Sequence, residues 1–61
     1  MRFADAKKLH NEDEVIDKKT GESVRVLSVK IVPMWKASPK VEITGVGDKT
    51  GYSFWYHEDV K

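Results

Sequence analysis

The phrase "DKKTGESV" fills residues 17–24, and "DKTGYSFW" fills residues 48–55. Acid–Lys–Thr–Gly followed by an alternating tract is thus written twice within 61 residues. A Gly closing a short polar turn accepts φ > 0, which a side chain with a Cβ resists; Asp, Lys and Thr suit the exposed part of such a turn. Each phrase therefore predicts a tight reversal between two strands, pairing 14–17 with 22–26 and 41–47 with 52–57. A phosphate-cradling loop is excluded by context. That chemistry needs more glycines and a helix opening after Lys-Ser/Thr, whereas strands follow both copies here.

Between the two turns lies "ESVRVLSVKIV", long and rich in β-branched residues. Val24 and Val26 share one parity, while Leu27, Val29 and Ile31 continue on the other. A period-two strand that changes parity must bulge or bend, handing its apolar face from one side to the other. Pro33 and Pro39 bracket the next stretch, and proline cannot donate to a ladder, so an eight-residue connection, "PMWKASPK", is expected to interrupt the sheet. At the start of the chain, "FADAKKLH" sets Phe3, Ala6, Leu9 and His10 on one helical face. One or two turns of helix are expected there, with Phe3 and Leu9 docked on the rest of the chain because so short a helix cannot stand alone.

Register in the second hairpin decides which aromatics are left for function. With Asp48–Gly51 as the loop, Gly47 faces Tyr52, Gly45 faces Phe54 and Ile43 faces Tyr56. Ile43, Phe54 and Tyr56 are then core, and Trp55 lies on the opposite face. A one-residue shift that pairs Thr44 with Tyr56 sets Glu42 against Glu58 and is less coherent.

Sixty-one residues form one domain close to the lower size limit for folding without staples, with residues 1–11 as a helical segment and 12–60 as the β part. Cysteine is absent, which removes disulfides and thiolate metal sites. No apolar run is long enough to span a membrane, and the N-terminus lacks the apolar stretch of a signal peptide, so a soluble cytoplasmic protein is expected. Net charge is +1, but residues 18–49 hold seven basic and three acidic groups, a central bias that suits an acidic partner.

The run "EVIDKKTGESVRVLSV", followed by "VEITGV", "GYSFWY" and a terminal "HEDV", resembles the SH3-like small barrels of bacterial and phage proteins. The resemblance covers about residues 12–60 and rests on periodicity and turns. It implies a mainly β, SH3-like five-stranded small barrel, with a short helical turn before the last strand, and a non-enzymatic interaction module. The chain departs from that plan at "EDVK", which is very short for a fifth strand and leaves the N-terminal segment to cover the open edge.

Little in the sequence promises chemistry. The serines lack an elbow motif or adjacent base. His10 and His57 lack metal-ligand spacing, so neither metal nor cofactor is expected. The aromatic inventory is the stronger lead. Trp35 stands between two prolines beside Met34 and Lys36, as either a plug closing the barrel end or a ligand anchor, and Trp55 faces away from the expected core. Exposed tryptophan is uncommon and dominates interface hot spots. A protein or peptide partner on Met34, Trp35 and Trp55 is the first expectation. A single-stranded nucleic acid is the second, stacking on the tryptophans while Arg25, Lys30, Lys36, Lys40 and Lys49 follow phosphates. The third is a homodimer, since a marginal domain with an apolar patch gains stability by self-association.

Overall fold

The computed structural model describes residues 1–61. The protein is mainly β: one four-stranded antiparallel sheet curls into a half-barrel, with a single short helix. The strands are β1 (Glu14–Ile16), β2 (Ser23–Met34), β3 (Ala37–Gly47) and β4 (Gly51–Tyr56), paired in chain order. Helix α1 (Phe3–Ala6) precedes them and a 3₁₀ turn (His57–Asp59) follows. There are four strands rather than five. The expected last strand is reduced to one bridge, Val60 against Asp17, reinforced by Lys18 N–H to Asp59 O and Lys61 N–H to Ile16 O.

The parity change in β2 is a bulge. Val24 and Val26 pair with Gly47 and Gly45; the register then slips across Leu27, and Val29 and Ile31 resume opposite Ile43 and Val41. The unpaired residue returns both apolar runs to the same side of the sheet. That inner face, with Val15, Val24, Val26, Val41, Ile43, Trp55 and Val60, meets Ala6 in one core of eight buried residues. Met1, Phe3, Leu9 and Val29 pack against it. The N-terminal segment thus acts as a lid on the core: Phe3 stands edge-on to His57, with ring centroids 5.6 Å apart. The helix is a single turn, at the short end of what its sequence predicts.

Two expectations are corrected. Residues 33–39 do not interrupt the sheet: β2 runs to Met34 and β3 begins at Ala37, joined by Trp35 and Lys36 alone, with Lys36 at φ 56°. Pro33 is tolerated because the register slips between Val32 and Met34, so no ladder donor is required of it. The second correction is register. Gly47 pairs with Gly51, Ile43 with Trp55 and Thr44 with Phe54, one residue from the favoured pairing and opposite in direction to the other shift weighed above. Every side chain of β4 changes face as a result. Trp55 is 7% exposed in the core, whereas Tyr52 and Phe54 are 74% and 54% exposed outside it.

Candidate functional site

The repeated turns are joined by a carboxylate. Glu22 is buried, and its Oε1 accepts the N–H groups of Lys49 and Thr50, each at 2.9 Å. Its Oε2 accepts both threonine hydroxyls, Thr50 at 2.7 Å and Thr20 at 2.9 Å. The Thr of each phrase thus donates to one acid between them. The Thr50 N–H, then its hydroxyl and the Lys49 N–H, hold the Glu22 carboxyl at a pKa of about 2 against an ordinary 4.5, outweighing the opposing effect of burial. Asp17 plays the companion part. Its Oδ2 accepts the Trp55 indole N–H at 2.8 Å, and its Oδ1 accepts the N–H groups of Lys19 and Thr20. The indole first, then those two amides, keep the Asp17 carboxyl below its usual range. With every acceptor occupied by the fold, these acids are structural. Sequence reasoning missed both; the only trace in the residues was the repeated Thr, whose shared acceptor appears only in the fold.

Two features remain without a role in the fold. The first is the far end of the β2–β3 hairpin. Beyond Lys40 the strands leave the core, and Ile31, the partner of buried Val41, is itself 54% exposed. At the tip Trp35 is 87% exposed, touched by the Lys36 ammonium 5.9 Å from its ring centroid and flanked by half-buried Met34. Trp35 is therefore no plug. Residues 30–40 contain three lysines and no acid. Lys30 pairs with Glu42 at 3.7 Å, and Lys40 with Glu58, which raises the Lys40 pKa and lowers that of Glu58. Lys36 alone at the tip has no carboxylate partner.

The second feature is the open edge and outer face of β4. Val41 donates its N–H to His57 Nδ1, so the odd residues of β3 direct their amides toward β4. By alternation Tyr52, Phe54 and Tyr56 direct theirs away, to the open edge of the sheet. No backbone hydrogen bond outside the ladders reaches residues 51–56. A cleft of about 560 Å³ runs between this strand and the first turn, lined by Phe54, Tyr56, Lys18, Lys19 and Asp59 among others.

Of the residues singled out from sequence, Met34, Trp35 and Lys36 come together at the tip. Trp55 does not join them. It lies inside the core opposite Ile43, six residues along β3 from Ala37, or about 20 Å at strand rise. The expectation of an exposed Trp35–Trp55 surface is thereby corrected. Arg25 is exposed mid-sheet opposite Glu14, Lys40 is half-buried over the Tyr56 ring, and Lys49 sits in the second turn. These cations form no continuous track. No group of three His, Asp or Glu residues is placed to hold a metal ion, and no helix is long and apolar enough to cross a membrane. Set against protein-family models, curated proteins and solved structures, the chain matches none.

Proposed function

We propose that this protein is a non-catalytic interaction module that inserts the tip of its β2–β3 hairpin into an apolar pocket on another protein. The observation that carries the reading is the exposure of Trp35 on a two-residue turn, with strands on both sides that hold it away from the core. An indole held out on a paired hairpin buries a large area on binding, the property that makes tryptophan a hot-spot residue. Lys36 has no acid of its own, so the pocket is expected to carry carboxylates at its rim.

Single-stranded nucleic acid is the second reading, favoured by the exposed Tyr52 and Phe54 rings. It is weakened by the pairing of Lys30 and Lys40 with Glu42 and Glu58, since phosphate contacts supply most of such affinity. A photo-crosslinking residue at position 36, with and without Trp35→Ala in parallel pull-downs, tests the proposal. A protein captured at position 36, lost with Trp35→Ala and retained at high salt supports it. Capture of nucleic acid that falls away with salt, while Trp35→Ala binds as well as the parent, refutes it.

A further inference from the structure

Sheet edges are sites of unwanted pairing, and natural proteins protect them with charge, proline, bulges or a covering segment. The two edges of this sheet are treated differently. β1 is covered by the end of the chain: Val60 bridges to Asp17, and Lys61 donates to Ile16 O. β4 has no cover. Its sequence, "GYSFWY", contains no charge and no proline, and its pairing with β3 runs from Gly47–Gly51 to Glu42–Tyr56 without a bulge. The residues whose backbone groups point outward, Tyr52, Phe54 and Tyr56, are the same ones whose rings stand on the outer face. They read Tyr–x–Phe–x–Tyr in either direction.

From this we infer that the β4 edge is the interface of a homodimer, in which β4 pairs antiparallel with β4 of a second copy about a two-fold axis at Phe54. That register sets Phe54 opposite Phe54 and Tyr52 opposite Tyr56 of the second copy. These are hydrogen-bonded positions, because their N–H and C=O groups are the ones directed outward. An isologous contact needs a surface complementary to itself, and a palindromic row of aromatics on an uncharged strand meets that requirement. Charge agrees with the register. The paired strand GYSFWY carries none, so the register sets no like charges against one another along it. The two half-barrels then share one eight-stranded sheet, with a Trp35 arm on each copy.

The contact is small. A six-residue strand is about 20 Å long, so one strand pair covers less than the roughly 800 Å² per partner of a standard interface. The dimer is therefore expected to be concentration-dependent, with the mass by sedimentation rising from 7.0 kDa toward twice that value as the protein is concentrated toward about 1 mM. Amide exchange at Tyr52, Phe54 and Tyr56 should slow by at least tenfold over the same range, and at no other exposed position. Phe54→Lys places two like charges on the axis and should return the protein to a monomer at every concentration. Trp35→Ala should leave the dimer intact. A monomer at about 1 mM with fast exchange at those three amides overturns the inference. So does a dimer that survives Phe54→Lys, or one that Trp35→Ala dissolves. The exchange measurement uses the unaltered chain and stands even if Phe54→Lys fails to fold.

Discussion

The two Thr-Gly turns share a phrase and differ by one residue. In the first, Lys18–Gly21 form a four-residue loop, closed by Asp17 N–H to Glu22 O and Gly21 N–H to Asp17 O. In the second, a single Lys stands where the first has two, and Asp48–Thr50 form a three-residue loop between Gly47 and Gly51. Gly21 and Gly51 adopt nearly the same left-handed conformation, φ 76° and 78°. Similar turn chemistry thus gives different registers, and the register decides which face of β4 is core. The first turn supplies the acids, Asp17 and Glu22. The second supplies the donors that reach across to them, Lys49, Thr50 and, further along the strand, Trp55. Each hairpin therefore completes the other.

The parity of β4 gives the largest effect with which to break this comparison. Trp55→Ala should lose about 3–5 kcal/mol, as for a buried large aromatic. Phe54→Ala, one residue away, should stay within roughly 0.5 kcal/mol, as for an exposed site. Thermal unfolding of both variants reads the contrast, and the reverse order would mean that β4 pairs in the other register. Next comes Gly47→Ala. A Cβ there would lie 2.3 Å from Glu22 Oε1 and 3.3 Å from the Trp55 ring, so about 1–3 kcal/mol should be lost through overpacking. Lys49 and Thr50 should also lose amide protection. Gly21→Ala meets nothing within 4 Å and should cost only its backbone strain, roughly 1–2 kcal/mol. Equal amide losses in the two variants would remove Glu22 from its linking role.

The threonines sharpen the comparison more finely. Thr50→Val should cost about 1 kcal/mol and raise the Glu22 pKa more than Thr20→Val does: valine keeps the Thr50 N–H, but the Thr50 hydroxyl that it removes lowers the pKa more than the Thr20 hydroxyl. An NMR titration of the Glu22 carboxyl ranks the two. The mildest expectation concerns pH. The Glu22 carboxyl ionises near 2 in the folded protein and near 4.5 when unfolded, so the unfolded chain takes up the proton first. Its stabilising contribution is complete above about 4.5 and is lost as pH falls toward 2. Denaturant unfolding from pH 7 to 2 should show that decline in the parent and a flatter limb in Glu22→Gln.

Much of the fold was legible in the residues. The valines of β2 announce their bulge because two apolar runs of opposite parity cannot face one side of a straight strand. The Thr-Gly phrases announce their turns because only glycine takes those φ values without strain. The same local reasoning misplaced β4: it placed all of Asp48–Gly51 in the loop, whereas Gly51 pairs with Gly47, and that one residue turned Tyr52, Phe54 and Tyr56 inward in place of Trp55. Trp35 was found as a candidate, although whether it folded back could not be read from two prolines. Asp17 and Glu22 look in sequence like ordinary turn acids.

Near-neighbour interactions, legible in the residues, make this chain mainly β and set its two Thr-Gly turns and the kink in its long strand; the tight Trp35–Lys36 turn was not legible, because Pro33 and Pro39 read as breaks in the sheet. Which aromatics are buried depends on contacts between distant parts of the chain. Trp55 goes inward because Asp17, thirty-eight residues earlier, accepts its indole N–H, and because Gly47 leaves room for Glu22 to reach the second turn. A buried N–H needs its acceptor and a buried carboxylate needs its donors. In this protein those partners lie on opposite hairpins and meet only when the sheet curls.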